Sequence, residues 1–115
     1  MVFKIKIIIK IIKMTTKVLK SKINNLLVSR GTIFYDGSIC LPKDLMESAN
    51  LMEHEKVEVI NIKNGNRETL FVRESEDVVV PFKLAAVGSI ITVMSTVTVP
   101  IDEYHNQPLI VDLNH

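Results

Sequence analysis

From Val18 onward, short runs of β-branched and apolar residues alternate with turn signals. This is the pattern of a small β-barrel, in which each strand is followed closely by a turn. Asn64-Gly65 joins two of these runs and is the strongest hairpin signal in the chain. The predicted strands cover residues 17–22, 25–28, 32–35, 57–62, 67–72, 78–80 and 90–99, with turns at 29–31 and 74–77 and an extended tail around 109–111. The sequence therefore predicts a mainly β domain.

One segment departs from the strand pattern. Pro42 suits the first turn of a helix, and Leu45, Ala49 and Met52 follow at i, i+4 and i+7. This spacing predicts a short amphipathic helix over residues 43–49, with Met46 and Met52 filling the core. The barrel is therefore expected to carry one or two short helices.

Length and composition exclude several classes of protein. A chain of 115 residues is expected to form one domain with a small core. A net charge of +1 offers no electrostatic basis for binding nucleic acid, so a DNA-binding barrel is disfavoured. The single cysteine, Cys40, cannot form an intramolecular disulfide, and the three histidines are too widely spaced for a metal site. These features predict a cytoplasmic protein without a metal or a nucleic-acid partner.

Residues 1–13 are an isoleucine- and lysine-rich stretch of low complexity. The apolar runs are far shorter than the roughly 20 residues that span a bilayer, and the scattered lysines do not fit a signal peptide. Met14 opens a segment that resembles an ordinary N-terminus. We expect residues 1–13 to be an extension or a start-site artefact, residues 14–115 to form a single domain, and no membrane partner.

Two motifs a fixed distance apart carry a family resemblance: Tyr35-Asp36-Gly37-Ser38 and Asn64-Gly65-Asn66-Arg67. Together with residues 19–23, 44–47, 55–57 and 87–88, they make residues 14 to about 112 resemble aspartate 1-decarboxylase. The resemblance implies a double-psi β-barrel that assembles as a homotetramer with active sites between subunits.

The resemblance also implies that the chain makes its own cofactor. The hydroxyl of Ser38 would attack the carbonyl of Gly37, and the resulting ester would break to leave a pyruvoyl group in place of Ser38. Serine supplies the nucleophile for this autocatalytic cleavage of the zymogen, and glycine allows a strained backbone before it. The pyruvoyl group then forms a Schiff base with the substrate amine and accepts the electrons released on decarboxylation.

In the family, a lysine and an arginine that match Lys22 and Arg67 hold the substrate carboxylates. A dicarboxylate needs two cations at a fixed separation, and arginine can grip one carboxylate with two hydrogen bonds.

The chain departs from the family pattern after Arg67, where a threonine assists processing and the next residue, a tyrosine, protonates the product. With a one-residue deletion, Thr69 matches the threonine and Leu70 the tyrosine. Without a gap, Leu70 matches the threonine and Phe71 the tyrosine. Either alignment removes the tyrosine hydroxyl, so the final proton either comes from another group or is not delivered.

Two further departures concern the substrate pocket. Residues 80–86 replace the family's Asn-Gly-Ala-Ala-Ala loop, and the stretch between Arg67 and Gly88 is several residues shorter than in the family. Asn24 stands where the family usually has histidine. The pocket is therefore altered, whereas the cleavage motif is intact.

The predicted function is pyruvoyl-dependent decarboxylation of L-aspartate to β-alanine and CO₂, which feeds pantothenate and coenzyme A biosynthesis. Two alternatives stay open: a catalytically degenerate barrel with a binding or regulatory role, and a pyruvoyl decarboxylase of another amino acid. The sequence does not decide whether cleavage is spontaneous or needs a maturation factor.

Overall fold

The computed structural model describes residues 14–32, 36–103 and 107–113. Its strands are β1 (Thr15–Leu27), β2 (Arg30–Thr32), β3 (Ser38–Leu41), β4 (Lys56–Asn61), β5 (Arg67–Glu74), β6 (Val79–Pro81), β7 (Ile90–Pro100) and β8 (Leu109–Asp112). A short helix, α1 (Lys43–Ser48), follows β3, and a 3₁₀ turn, Ile101–Glu103, follows β7. The eight strands form one curled half-barrel sheet in the order β2-β6-β3-β5-β4-β7-β1-β8, which confirms the predicted mainly β barrel fold.

The longest strand, β1, pairs with β7 on one side and with β8 on the other. Its register against β7 shifts between Leu19 and Ser21 and again between Ile23 and Leu26. At the second shift Asn25 has a φ of 60°, a left-handed conformation that asparagine tolerates better than most residues. The predicted break near Asn25 is therefore a bulge within one continuous strand, because β7 pairs with both sides of it.

The core lies on one face of the sheet, because alternate residues of a strand point to opposite sides. Ile39, Val59, Leu70 and Ile91, from four different strands, are all completely buried. Helix α1 adds Met46 to the same apolar cluster. The residues between these positions lie on the opposite face of the sheet, which is called the open face.

Helix α1 ends one residue before the predicted limit. The N–H of Met46 donates to the carbonyl of Pro42, as expected for a helix that begins after that proline. Asn50, with a φ of 53°, takes the chain out of the helix. Met52 lies beyond the helix and is 70% exposed, so the expectation that it fills the core is wrong.

The predicted turn at residues 29–31 is also wrong, since Arg30 and Gly31 begin β2, which pairs in parallel with β6. A Cβ atom at position 31 would lie 2.5 Å from Cε1 of Phe82, so glycine lets the ring pack against the strand.

Two predictions fall on residues outside the described part of the chain. These are residues 33–35 of the strand predicted at residues 32–35, and the extension predicted at residues 1–13. No helix among the described residues is long and apolar enough to cross a membrane.

A carboxylate links β1, β7 and the loop before β4. Both oxygens of Glu55 lie 2.8 Å from Nζ of Lys20, the residue at the first bulge of β1. The Ser95 hydroxyl donates to Oε2 of Glu55, and the Met52 N–H donates to Oε1 at 3.1 Å. Burial raises the pKa of Glu55, but the bonds from Lys20, Ser95 and Met52 outweigh it, so the pKa lies below its ordinary value.

We expect the free energy of unfolding of the Glu55→Gln variant to fall less on acidification than that of the unmodified protein. A carboxylate with a lowered pKa in the folded state stabilises the fold above its unfolded-state pKa, and that contribution disappears as the pH falls through the lowered value. Urea denaturation from pH 7 down to pH 3 should show a shallower decline in unfolding free energy for Glu55→Gln. Glu47→Gln, on the exposed side of α1, is the matched control and should keep the original slope. Equal slopes for all three proteins would contradict the assignment.

Candidate active site

The strand register brings Ser38, Phe71 and Lys56 into one row. Ser38, the first residue of β3, is paired with Phe71 of β5, and Phe71 is paired with Lys56 of β4. Directly paired residues point to the same face of a sheet. Because Ile39, Leu70 and Val57 are their buried neighbours along the strands, this row lies on the face opposite the core.

A second row on this open face contains Lys22 and Thr69. Lys22 of β1 pairs with Met94, Met94 with Glu58, and Glu58 with Thr69. Arg67 lies two residues before Thr69 on β5 and so shares its face. The structure therefore places the predicted residues Ser38, Thr69, Lys22 and Arg67 on a single face of the sheet.

The backbone at the predicted cleavage bond has an uncommon conformation. Gly37 has a φ of 81°, and a Cβ atom at this position would meet nothing within 4 Å. Glycine is therefore needed here for its backbone angle rather than for space, since left-handed angles are costly for other residues. The carbonyl oxygen of Gly37 accepts a hydrogen bond from the N–H of Phe71 at 2.8 Å. This bond polarises the carbonyl that the Ser38 hydroxyl would attack.

Asp36 is a site residue that the sequence reasoning missed. Its Oδ1 accepts hydrogen bonds from the Ser38 hydroxyl at 2.6 Å and from the Ser38 backbone N–H at 3.1 Å. Its Oδ2 lies 3.4 Å from Nη1 of Arg73. The Ser38 hydroxyl, the Ser38 N–H and Arg73 together hold the pKa of Asp36 below its ordinary value. An aspartate two residues before a serine is a turn signal that could have pointed to this contact.

Leu70 and Phe71 have opposite environments. The Leu70 side chain is completely buried in the core, whereas Phe71 is 48% exposed on the open face beside Ser38. Of the two positions left open for the family's tyrosine, the one facing Ser38 is thus occupied by Phe71. The Thr69 hydroxyl donates to Oε1 of Glu58 at 3.0 Å rather than to the cleavage bond.

Arg67 follows the β4–β5 hairpin. Gly65 takes a φ of 76° in this turn and donates its N–H to the Asn61 carbonyl at 2.8 Å. The Arg67 side chain is 60% exposed, with Nε 3.8 Å from Oε2 of Glu58. Among the described residues, the guanidinium group is thus held only by this long, exposed ion pair, which leaves it accessible to an incoming carboxylate.

Lys22 and Ser38 are well separated within one chain. Four strand-to-strand steps separate β1 from β3 in the sheet order. With strands about 4.8 Å apart, this amounts to about 19 Å along the curled surface. The ammonium group of Lys22 makes no hydrogen bond or ion pair with any described residue, so it is available to an outside partner.

The segment at residues 80–86 contributes to the core instead of forming an open loop. Val80, Leu84 and Ala85 are buried, and the amide of Asn61 donates to the Leu84 carbonyl at 3.0 Å. The family's substrate-contacting loop therefore has no direct equivalent in this part of the described chain.

Two depressions differ in their suitability for an anionic substrate. One of about 310 Å³ lies on the open face and is lined by Lys17, Lys56, Val57, Glu58, Thr69, Met94 and Thr96. The other, of about 700 Å³, lies beside α1 and includes four carboxylates: Asp44, Glu47, Glu74 and Glu76. The larger depression would repel a dicarboxylate, whereas two lysines line the smaller one. Within the described residues, no group of three or more His, Cys, Asp or Glu side chains could hold a metal ion.

The curled eight-stranded sheet places the chain among mainly β barrel proteins, and sequence comparison specifies the family. The family model for aspartate decarboxylase matches residues 14–115. The aspartate 1-decarboxylase of Clostridium botulinum is 38% identical over 97 residues, which cover 78% of this chain and 76% of that protein. The Caldicellulosiruptor bescii aspartate 1-decarboxylase is 36% identical over 100 residues, which cover 81% of this chain and 78% of that protein. The Cytophaga hutchinsonii aspartate 1-decarboxylase is 43% identical over 63 residues, which cover 55% of each of the two chains.

The chain belongs to the aspartate decarboxylase family. A second Clostridium botulinum aspartate 1-decarboxylase, like the Cytophaga hutchinsonii protein, is matched over only about half of its length.

Proposed function

We propose that this chain is a pyruvoyl-dependent decarboxylase that converts L-aspartate to β-alanine and CO₂ after cutting itself between Gly37 and Ser38. The observation that carries the proposal is the arrangement at this bond. A serine hydroxyl follows a left-handed glycine whose carbonyl accepts a hydrogen bond from the Phe71 N–H. Membership of the aspartate decarboxylase family supports the choice of reaction and substrate. The β-alanine would serve pantothenate biosynthesis.

The residues around Ser38 fit the formation of a pyruvoyl group. Ser38 supplies the nucleophile and the three carbons of the group, and Gly37 supplies the carbonyl that leaves as a new carboxylate. The Phe71 N–H stabilises negative charge on that carbonyl oxygen during attack. Once formed, the group offers a carbonyl that binds the substrate amine and takes up the electron pair left by CO₂.

Arg67 and Lys22 are proposed to bind the two carboxylates of aspartate. The exposed guanidinium of Arg67 can exchange its long contact with Glu58 for a bidentate contact with substrate. Lys22 lies about 19 Å along the sheet from Ser38, a span that one aspartate does not bridge. This separation supports an assembly in which Lys22 serves the site of a neighbouring subunit, and the family resemblance implies that this assembly is a homotetramer.

The reaction also needs a proton donor, because loss of CO₂ leaves an electron pair on the substrate α-carbon. Phe71 has no hydroxyl to offer. Lys56 is paired across the strands with Phe71 and lies on the same face as Ser38. Its ammonium group makes no hydrogen bond or ion pair with any described residue. We assign the donation to the Lys56 ammonium group, which recovers its proton from solvent after each turnover.

The Phe71→Tyr variant should decarboxylate aspartate faster than the unmodified protein, by about tenfold or more in kcat. A phenol at this position places a second proton donor beside Ser38, and positioned proton donors contribute about 10²–10⁴-fold to rates. The measurement is CO₂ release at saturating aspartate. Phe82→Tyr is the matched control, because Phe82 is equally exposed but packs against Gly31. An unchanged kcat in a fully cleaved Phe71→Tyr protein would show that proton delivery does not limit the reaction.

The proposed function is tested by denaturing intact-mass spectrometry combined with CO₂ release. We expect two fragments, residues 1–37 and 38–115, the second with a pyruvoyl terminus, and CO₂ from aspartate but not from glutamate. A chain that stays uncut after long warm incubation, even with cell extract added to supply a maturation factor, would overturn the proposal and favour a degenerate barrel. A cleaved protein that releases CO₂ from a different amino acid would overturn the choice of substrate alone.

A further inference from the structure

We infer that Asp36 carries a proton from the Ser38 hydroxyl to the Ser38 backbone nitrogen during self-cleavage, with Arg73 holding the carboxylate in place. This inference rests on the proposed function, since it concerns the step that creates the pyruvoyl group. It assigns a catalytic role to Asp36, for which neither the family resemblance nor the comparisons give a role.

The geometry places one oxygen atom against both ends of the proton transfer. Oδ1 of Asp36 lies 2.6 Å from Oγ of Ser38, the atom that must lose a proton. The same oxygen lies 3.1 Å from the backbone nitrogen of Ser38, the atom that must gain one. A carboxylate in contact with both atoms can accept the proton and deliver it without a large movement.

Arg73 fixes the orientation of this carboxylate from the neighbouring strand. Its Nη1 lies 3.4 Å from Oδ2, the oxygen that Ser38 does not use. Arg73 is paired with Cys40 on β3, which places it two residues further along the same face as Phe71 and Ser38. The ion pair is exposed, so its contribution is to position Asp36 rather than to stabilise the fold.

The resulting step balances as follows. Oγ of Ser38 forms a bond to the Gly37 carbonyl carbon while its proton passes to Asp36. The bond between that carbon and the Ser38 nitrogen breaks, and Asp36 returns the proton to this nitrogen. The product is an ester with a free amine. Loss of the Ser38 Cα proton then expels the Gly37 carboxylate and leaves a double bond between Cα and Cβ. Cβ takes up a proton as the enamine becomes an imine, and one water hydrolyses the imine, which releases ammonia and leaves the pyruvoyl ketone.

The experiment compares the rates of chain cleavage in freshly translated full-length protein, followed by intact mass. Asp36→Asn keeps the size and hydrogen-bonding capacity of the side chain but cannot accept the proton, so we expect cleavage about 100-fold slower or worse. Asp36→Glu should cleave faster than Asp36→Asn. Asp77→Asn is the matched control, because Asp77 also forms an exposed ion pair with an arginine, Arg30, and should leave the rate unchanged.

Chemical rescue separates catalysis from folding. In Asp36→Ala, added formate should restore cleavage in proportion to its concentration, an effect that a merely structural aspartate would not show. Cleavage of Asp36→Asn within threefold of the unmodified rate would overturn the inference. So would slow cleavage of Asp36→Ala that formate does not accelerate. An unmodified chain that never cleaves would instead overturn the proposed function, and the inference with it.

Discussion

The Ser38→Ala variant should remain a single uncut chain and release no CO₂ from aspartate. Alanine has no oxygen to attack the Gly37 carbonyl, so neither the ester nor the pyruvoyl group derived from it can form. The fold should be retained, because Ser38 begins β3 at a partly exposed position outside the core. Intact mass and CO₂ release measured on the same sample test both parts of this prediction.

Ser48→Ala provides the control for the removal of a serine hydroxyl. The Ser48 hydroxyl donates to the Asp44 carbonyl at 3.0 Å on α1, away from the open face. This variant should be cleaved and active. A Ser38→Ala chain that is still cut after Gly37, or an uncut chain that decarboxylates aspartate, would contradict the role of Ser38.

The Arg67→Ala variant should cut itself normally but bind aspartate poorly, with kcat/KM lower by about 10- to 100-fold. This range corresponds to the contribution of about 1.5–3 kcal/mol expected for hydrogen bonds to a charged group. Arg67→Lys should recover part of the loss, because it keeps the charge but not the planar pair of donors. Steady-state kinetics with aspartate, on samples shown by mass to be fully cleaved, provides the measurement.

Arg30→Ala is the matched control, since Arg30 is an exposed arginine on β2 whose described ion-pair partner is Asp77. Its kinetics should be unchanged. If Arg67→Ala retained its affinity for aspartate, the assignment of a substrate carboxylate to Arg67 would be wrong. If it failed to cut itself, Arg67 would belong to the processing step instead.

Much of the fold could be predicted because it follows from local patterns. The hairpin at Asn64-Gly65, the helix after Pro42 and most strand positions depend on turn chemistry and on side-chain alternation within a few residues. The motif that ends in Gly37-Ser38 was also readable, since glycine before serine is a local feature.

The pairing of distant strands could not be predicted in the same way. Ser38 meets Phe71 because β3 runs parallel to β5, a choice that no short window of sequence specifies. The run Leu70-Phe71-Val72 is apolar throughout, so alternation did not reveal which side chain faces the core. The ion pair between Lys20, at the bulge of β1, and Glu55 could not be predicted for a similar reason, because the two residues are 35 positions apart in the sequence.

The position of the proposed cut has a consequence for assembly. Both β1 and β2 precede Gly37, yet β1 lies between β7 and β8, and β2 is bound to β6. Cleavage would turn one polypeptide into two interlocked peptides, held together without a covalent link by strand pairing, core packing and the Lys20–Glu55 ion pair. Before the cut, refolding is a unimolecular process; after it, recovery from denaturant becomes a second-order encounter that slows on dilution. If the proposed cleavage occurs, folding is therefore expected to precede it, because the uncut chain alone can fold in a unimolecular process.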